Sequence, residues 1–492
     1  MLEKALEEAI YYAKTHLGLK EEDDTYFRNL LLAHFLIEKP YEGEIDKEGI
    51  KALTLPDQVV SSLKEEMIQK GMPEDVADRQ ATYVMGVLSP IPSLVNETFH
   101  SLREKDPKKA TDYLLSLSIA NDYVAKSRID RNLVWNASYA KGSPLEISIN
   151  LSKPEKNNKD IAKLKTMKST GYPKCLLCKE NLGFAGNPKH PARENIRVIP
   201  IELDGRRWYL QYSPYGYYDE HCIVFLDEHI PMEINEGNMN ALFDFVDLFP
   251  HYFIGSNSDL PIVGGSILDH EHFQGGKHLL PLLIAKEKEV VFDKGGVKLV
   301  VLDFYNNALR IHSKNKKKAL DLASKILDAW KEHNDPENSI YAFTNGERHN
   351  TVTPYCRKVG DEYQMTLILR NNRCDDTYPE GIFHAHPEYH HIKKEGIGLI
   401  EAAGLFILPA RLKRQIKEVE EAVEHNWSEE ETLATYPDLD VFAPMIKALK
   451  ERKISAQTYI NEVCQGILKN VAVYKDDEKG ERGLKRFLDK CL

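Results

Sequence analysis

The chain has 492 residues, of which 42% are hydrophobic and 29% charged, and its formal net charge at pH 7 is −11. This length and composition exclude a single small module and a largely disordered chain. The absence of a long apolar run and of a basic stripe argues against a membrane-embedded protein and against a nucleic-acid partner.

The N-terminal region, residues 1–145, is predicted to be helical. Leu2, Leu6, Ala9 and Ala13 recur at helical spacing in an acidic, amphipathic first segment. This segment has neither the basic start and apolar block of a secretory signal nor the Arg-rich composition of a transit peptide. We therefore expect a cytoplasmic protein, in which the seven cysteines stay reduced.

From residue 146 the sequence alternates between apolar and polar residues with a period of two, which predicts strands. The strand segments and helix segments follow in the order LEISINLS, RVIPIEL, RWYLQYS, HCIVFL, helix MNALFDFVDLF, then EVVFD, VKLVVLDFY, ALRIHS and helix ALDLASKILDAWKEH. Strands with hairpin-like turns return in SIYAFTNGERHNTVTPYCRKVGDEYQMTLILRNN. Because strands, a helix and more strands occur twice, we predict two β-sheet/helix domains, residues 146–300 and 301–410. GLFILP, before residue 411, is predicted to be a further strand. Residues 411–492 are predicted to be helical, and their charged runs are interpreted as solvated helix faces that need no ligand.

The histidines are concentrated in two windows. Eleven of the 18 histidines lie within residues 221–278 and 349–391, and each window contains a His-x-His doublet, His270-Glu271-His272 and His384-Ala385-His386. Residues i and i+2 of a strand project from the same face, so each doublet placed in a strand would present two imidazoles to a metal or a substrate. We therefore predict a functional role for at least one doublet.

One cysteine pair has the spacing of a metal ligand. Cys175 and Cys178 form C-x2-C, but no second C-x2-C follows. Two interpretations are open: a pair of reduced thiols beside a strand, or half of a zinc site that is completed by distant histidines. His229 and His270 are the candidates for the remaining ligands.

Three common nucleotide or nucleophile motifs are missing from the sequence. Gly396, Gly398 and Gly404 in GIGLIEAAG do not fit G-x-G-x-x-G, and neither a Walker A pattern nor G-x-S-x-G is present. A dinucleotide fold and a serine hydrolase are therefore not predicted.

Four long blocks make the sequence similar to a known family. These blocks are HPARENIRVIPIEL, SPYGYYDEHCIVFLDEHIPM, FPHYFIGSNSDLPIVGGSILDHEHFQGG and GIFHAHPEYHHIKKEGIGLIEAAGLFILPARL. They resemble the bacterial class II galactose-1-phosphate uridylyltransferases, which belong to a histidine-triad-like superfamily. The resemblance covers almost the whole chain and implies an α+β fold with two histidine-triad-like β-sheet/helix units in tandem and helical extensions at both ends.

The resemblance also implies a reaction. The string from His270 to Gln274 matches the His-Pro-His-x-Gln motif of the class I transferases, with Glu271 in place of Pro. It implies that His272 attacks the α-phosphorus of UDP-glucose, releases glucose 1-phosphate and passes the uridylyl group to galactose 1-phosphate. Gln274 would contact the phosphoryl oxygens, where hydrolytic relatives have a third histidine.

Two metal sites and a homodimer follow from the same resemblance. A structural zinc is implied at Cys175, Cys178, His229 and His270. A second metal, such as iron or zinc, is implied at His349, His384 and His386.

Phosphoryl transfer also needs groups that stabilise negative charge. The donors that the sequence offers near the motif are Asn257, Gly265, Ser266 and Gln274. The candidate cations are Lys277, Arg128, Arg131 and Arg193.

Two other functions are alternatives to the transferase. One is a dinucleoside polyphosphate phosphorylase or nucleotide hydrolase on the same scaffold, which would pass the nucleotide to orthophosphate or water. The other is a non-enzymatic protein in which both doublets bind metal.

Overall fold

The computed structural model describes residues 1–140, 142–152 and 171–492. The chain divides into two compact units, Met1–Arg131 with Lys156–His229 and Asn132–Glu155 with Ile230–Leu492. Helices and sheets occur in both units, which confirms the predicted α+β class. No helix in the described ranges combines the length and the apolar character that crossing a bilayer requires.

Helices dominate the first part of the first unit, as their residue spacing predicted. The π-helical turn Ala13–Leu17 extends the first helix. Helix α7 begins at Pro107 because the preceding Asp106 side chain accepts the N–H of Lys108, and proline in the first turn needs no donor. The α-helices here are α1 Leu2–Tyr12, α2 Asp24–His34, α3 Lys47–Lys51, α4 Asp57–Gln69, α5 Glu74–Val87, α6 Pro92–Lys105, α7 Pro107–Ala120 and α8 Lys126–Ile129.

The first unit also contains an antiparallel three-stranded meander. Its strands are those predicted at RVIPIEL, RWYLQYS and HCIVFL. The turn between the first two has Asp204 and Gly205 with φ of 51° and 65°, the backbone that an Asp-Gly hairpin favours. The strands are β3 Ile199–Leu203, β4 Arg206–Tyr212 and β5 Cys222–Leu226.

A small sheet in the second unit joins distant parts of the chain. β1 (Leu133–Ala137) pairs antiparallel with β2 (Leu145–Ile149), and β2 pairs in parallel with β15 (Leu405–Leu408). The sequence predicted β2 and β15, whereas β1 lies in the region that we expected to be helical.

A larger sheet forms the centre of the second unit. Seven strands lie side by side in the order β7-β6-β13-β14-β10-β9-β8, and each strand pairs antiparallel with its neighbours in this order. The short hairpin of β11 and β12 stands apart. The strands are β6 Phe253–Ser256, β7 His272–Gly276, β8 Glu287–Lys294, β9 Val297–Leu302, β10 Ala308–Ser313, β11 Phe343–Thr344, β12 Glu347–Arg348, β13 Asn350–Val359 and β14 Glu362–Asn371.

Two helices pack against this sheet. The helix α9 (Glu236–Leu248) contacts β6 and β13, and α10 (Lys316–Lys331) contacts β10, β13 and β14. Each begins after an asparagine whose side chain accepts a backbone N–H of the first turn. The indole N–H of Trp330, which is fully buried, donates to the carbonyls of Thr351 and Arg370 and so ties α10 to the sheet.

Helices form the C-terminal part, as predicted. Ser428 and Glu431 make a capping box at the start of α13. The remaining helices are α11 Leu399–Ala402, α12 Leu412–Glu424, α13 Glu429–Thr435, α14 Ala443–Arg452, α15 Ala456–Val471 and α16 Glu478–Cys491.

The order of elements along the chain repeats once. The series β3-β4-β5-α9-β6-β7 is followed by β8-β9-β10-α10-β13-β14, with β11 and β12 as an insertion. This repetition confirms the predicted tandem of β-sheet/helix units. The two halves meet in the second unit, where β6 pairs antiparallel with β13.

The strand register joins the two repeats at the centre of the sheet. Gly255 of β6 pairs with Tyr355 of β13, and their partners on the next strands are Gln274 of β7 and Thr366 of β14. The second His-x-His doublet does not occupy the position of the first, because residues 384–386 lie outside any strand.

Candidate active site

The predicted nucleophile lies at the start of a strand. His272 is the first residue of β7 and its side chain is buried, whereas His270 lies just before the strand. The condition that both histidines of a doublet lie in a strand is therefore not met by His270 or by the 384–386 doublet. The N–H of Glu271 donates to the carbonyl of Ile230 at 2.9 Å, which holds the approach to β7.

The backbone selects one tautomer of His272. Its Nδ1 lies 2.8 Å from the carbonyl oxygen of His270. A carbonyl only accepts hydrogen bonds, so Nδ1 carries the proton and the lone pair of the neutral ring lies on Nε2. Burial lowers the pKa of His272 to about 4, so the imidazole is neutral near pH 7. Neutral imidazole with a free lone pair is a competent nucleophile.

Gln274 shares a face of β7 with His272. The two residues are separated by one position on the strand, so their side chains point to the same side. Gln274 pairs with Gly255 of β6. Close backbone packing continues at Gly275, where a Cβ atom would lie 2.4 Å from the carbonyl oxygen of Phe253.

Asn257 directly follows β6 and is 3% exposed. Its Oδ1 accepts the backbone N–H of Leu399 at 2.9 Å. On the other side of the amide, a Cβ added to Gly265 would lie 2.6 Å from Nδ2. The glycine-rich stretch before the motif therefore packs directly against the amide that we predicted as a phosphoryl donor.

The residue between the motif histidines is anchored by a helix. Glu271 is 3% exposed, and its carboxylate accepts a hydrogen bond from the side-chain amide of Asn238 in the first turn of α9. Where the class I motif has proline, this chain thus fixes the strand by a side-chain contact. The sequence analysis did not identify Asn238, because it lies 33 residues before Glu271 and the two side chains meet only in the folded chain.

The remaining substrate-binding candidates lie at or near the surface of their own units. Ser266 and Lys277 are exposed in the second unit. In the first unit, Arg128 and Arg131 are exposed, and the guanidinium of Arg193 lies 5.5 Å from the ring centroid of Tyr123. Their predicted contacts with substrate stay predictions.

Four predicted zinc ligands come together. Among the described residues, one group could hold a metal ion: Cys175, Cys178, His229 and His270, whose ligand atoms all lie within 4.8 Å of one another. The Sγ atoms of Cys175 and Cys178 are 3.5 Å apart, and Sγ of Cys178 is 3.1 Å from Nδ1 of His229. Tetrahedral bonds of about 2.0–2.3 Å give ligand separations of about 3.3–3.8 Å. Two thiols and two imidazoles therefore fit a metal ion in chemistry, and the two separations of 3.5 and 3.1 Å are close to this range.

The cysteine turn is held by its own hydrogen bonds. The side-chain amide of Asn181 donates to the carbonyls of Cys175 and Cys178 at 2.9 and 2.8 Å. The N–H of Leu177 lies 3.3 Å from Sγ of Cys175. Burial raises the pKa of the Cys175 thiol, so a bound cation would have to displace its proton.

The histidines of the predicted second metal site have other neighbours. His349 pairs through Nδ1 with Oδ1 of Asn372 at 2.8 Å, and Nε2 of His384 accepts the N–H of Ile397 at 3.3 Å. His386 uses Nε2 toward the carbonyl of Ile382 at 3.0 Å. Within the described ranges these three are not gathered as the first set is, so the second site stays a prediction.

Two family models match the chain in succession. The family described as Galactose-1-phosphate uridyl transferase, N-terminal domain, matches residues 39–231. Its companion, Galactose-1-phosphate uridyl transferase, C-terminal domain, matches residues 244–434. Together they cover most of the chain, including the cysteine pair and both histidine doublets.

Curated relatives match over nearly the full length. A protein of Fusobacterium nucleatum named galactose-1-phosphate uridylyltransferase is 41% identical, over 98% of this chain and 97% of that relative. A protein of Clostridium acetobutylicum with the same name is 48% identical over 82% of both chains. A third, from Caldanaerobacter subterraneus, is 44% identical over 96% of this chain and 95% of the relative.

Proposed function

This chain belongs to the galactose-1-phosphate uridylyltransferase family, and from that premise we propose that it exchanges uridylyl groups between UDP-glucose and galactose 1-phosphate through His272. Nε2 of His272 attacks the α-phosphorus of UDP-glucose, and the bond to the departing glucose 1-phosphate breaks. Galactose 1-phosphate then attacks the uridylyl-histidine, which yields UDP-galactose and returns the free imidazole.

The observation that carries this proposal is the tautomer of His272. The carbonyl of His270 accepts a hydrogen bond from the Nδ1–H of His272, so the lone pair of Nε2 is available without a separate base. The buried ring is neutral at cytoplasmic pH, so its nucleophilic form needs no prior proton loss. The same nitrogen is a good leaving group in the second step, which suits a reversible exchange.

Gln274 and Asn257 support the transfer as hydrogen-bond donors. An amide N–H₂ can stabilise charge that develops on the phosphoryl oxygens, and it has no proton to give to a leaving group. Gln274 follows His272 on the same strand face. This arrangement favours transfer to a sugar phosphate over hydrolysis.

We further propose zinc for the group of two cysteines and two histidines. The donor set is typical of structural zinc, which holds four nitrogen or sulfur ligands and leaves no position for a substrate. Zinc bound there would fix His270, whose carbonyl in turn orients His272. The chain's own contribution to the reaction is thus an imidazole that is held in place.

The two alternative functions have less support. All three relatives described above carry the transferase name, which does not favour a phosphorylase, a nucleotide hydrolase or a non-enzymatic metal protein. A cytoplasmic location and a homodimer complete the proposal, and both rest on the sequence.

An exchange assay with UDP-glucose and galactose 1-phosphate tests the function. The wild type should form UDP-galactose, and His272→Asn should abolish turnover because the nucleophile is lost. His425→Asn, a change at an exposed histidine after α12, is the matched control and should keep the wild-type rate. An H272N variant that still forms UDP-galactose would refute the role of His272.

A further inference from the structure

A short segment of the second unit lies against the glycine-rich stretch that precedes the motif. We call residues 397–401 the strap; it contains the start of α11. The strap belongs to the GIGLIEAAG sequence that fits no nucleotide motif. Just before it, a Cβ added to Gly396 would make ordinary contacts with the carbonyls of Ile262 and Gly264.

Buried polar groups hold the strap at its first residue and at Leu399. Nη2 of Arg370, fully buried, donates to the carbonyl of Ile397 at 2.8 Å. The N–H of Ile397 donates to Nε2 of His384. The hydroxyl of Tyr355 donates to the carbonyl of Leu399 at 2.5 Å. The carbonyls of Ile397 and Leu399 thus accept hydrogen bonds from buried side chains. The N–H of Leu399 donates to Asn257.

A buried ion pair holds the far end. Nζ of Lys393 lies 2.9 Å from Oε1 of Glu401 and also donates to the carbonyl of Ile407 at 3.0 Å. The two side chains are only 6% and 12% exposed. A paired charge at this depth is hard to move, because separating the partners would leave each charge buried alone.

We propose that the backbone N–H of Leu399 is a positioning group for uridylyl transfer, which sets the orientation of the Asn257 amide so that its N–H₂ faces the substrate. This inference rests on the proposed function. Leu399 touches no reacting atom; it acts through Asn257.

The orientation follows from donor and acceptor chemistry. A backbone N–H can only donate, so the atom of Asn257 that faces it must be Oδ1 and not Nδ2. Nδ2 makes no hydrogen bond to any residue in the described ranges, and Asn257 is thus left with two unused donors. If the amide rotated by half a turn, two donors would face each other in a buried site, which is unfavourable.

The surroundings restrict the amide further. The Cα of Gly265 packs so close to Nδ2 that a Cβ there would lie at 2.6 Å, and a Cβ on Gly398 would lie 3.0 Å from Oδ1. Both glycines leave just enough room for one position of the amide. A fixed donor stabilises developing charge better than one that must reorient during the reaction.

The first test removes the N–H and leaves the backbone path. Leu399 is the first residue of α11, where proline is tolerated, and Gly398 before it has an extended backbone that proline accepts. Leu399→Pro removes the donor and places the ring Cδ between the backbone nitrogen and Oδ1 of Asn257, where it pushes the amide away. Leu399→Ala is the control, because it loses the packing of the side chain and keeps the N–H.

The measurement is the single-turnover rate of uridylylation by UDP-glucose, together with a thermal melt. We expect L399P to be at least about tenfold slower than L399A at saturating UDP-glucose, since one misplaced donor costs roughly that much or more. The apparent affinity for UDP-glucose should change less than the rate. Equal rates of the two variants would overturn the inference.

A double-mutant cycle separates positioning from a general structural effect. In an Asn257→Ala background the amide is gone, so adding L399P should slow uridylylation by less than about twofold. The inference would be overturned if L399P slowed uridylylation by the same factor in the N257A background as in the wild type.

If L399P does not fold, Gly398→Ala serves instead. Its Cβ pushes on Oδ1 of Asn257, and the loss of rate that it causes should vanish in the N257A background. Absence of exchange in the wild type would refute the proposed function, whereas wild-type exchange with L399P equal to L399A refutes this inference alone.

Discussion

At the scale of single residues, the site depends on how two polar side chains are oriented. The carbonyl of His270 fixes the tautomer of His272, and the N–H of Leu399 fixes the amide of Asn257. The family resemblance predicted His272 as the nucleophile, because the motif string is local in the sequence. It could not identify the Leu399 contact, since residues 142 positions apart in the chain meet only through the fold.

Gly265 gives a direct test of the room around Asn257. Gly265→Ala would place Cβ 2.6 Å from Nδ2, so the amide must move although Leu399 holds its other edge. We expect uridylylation to slow by about tenfold, because small displacements of a catalytic donor are costly. Gly396→Ala is the control, since its Cβ would make only ordinary contacts at 3.6 Å or more. Equal rates for the two variants would contradict the packing argument.

The buried carboxyl of Asp122 should make the stability of the folded chain depend on pH. Burial raises the pKa of this carboxyl to about 6, above its unfolded value of about 3.9. The protonated carboxyl of folded Asp122 therefore contributes to the free energy of unfolding. This contribution is complete below the unfolded pKa of about 3.9 and is lost as the pH rises through the folded pKa of about 6. Asp122 has a φ of 61°, which asparagine also adopts.

Asp122→Asn should therefore stabilise the chain at pH 8 more than at pH 5. We expect the gain in Tm over wild type to grow by about 1–3 °C between these pH values, measured by differential scanning calorimetry. The exposed Asp376 supplies the control: Asp376→Asn should show the same Tm difference at both pH values. A gain for D122N that does not change with pH would contradict the buried-carboxyl account.

At the scale of elements, the cysteine turn is preorganised for metal. Asn181 ties both cysteine carbonyls, so the turn keeps its shape through backbone contacts. We expect the wild type to carry about one tightly bound zinc per chain. Cys175→Ser should remove that zinc and lower Tm. Asn181→Ala should weaken zinc binding by about 10- to 100-fold, because the turn that carries both cysteines loses the hydrogen bonds that hold it.

Elemental analysis beside a thermal melt decides this prediction. Cys374→Ser is the control, because Cys374 is exposed and is not among the four ligands, and it should retain the zinc. A metal-free wild type of full activity would rule out the structural zinc. Zinc retained by C175S would show that the ion is bound elsewhere.

The elements differ in how well the sequence predicted them. Apolar and polar residues alternate along β3, β4 and β5, and turn residues bound these strands. The period of two therefore identified them from the sequence. β1 was missed because only Ala137 of its five residues is buried, which leaves no alternating pattern. The segment of His384 and His386 lies in no strand. It follows Gly381 with a φ of 116° and ends at a helical turn that begins with Pro387.

At the scale of the whole molecule, the two repeats share an order of elements and differ in where they carry histidines. His272 begins β7 of the first repeat, whereas His384 and His386 of the second doublet lie outside any strand. The sequence predicted the duplication from the order of elements. It could not show that the two doublets lie in different structural settings, because the His-x-His spacing is the same in both.

The most direct test of the account is the amount and position of uridylyl group trapped on the protein. After reaction with UDP-glucose and removal of glucose 1-phosphate, intact-mass and peptide mass spectrometry should find one uridylyl group per chain, on His272. The H272N variant should gain none. Two groups per chain, a group on any other residue, or a labelled H272N protein would contradict the central claim that His272 in the first repeat is the single nucleophile.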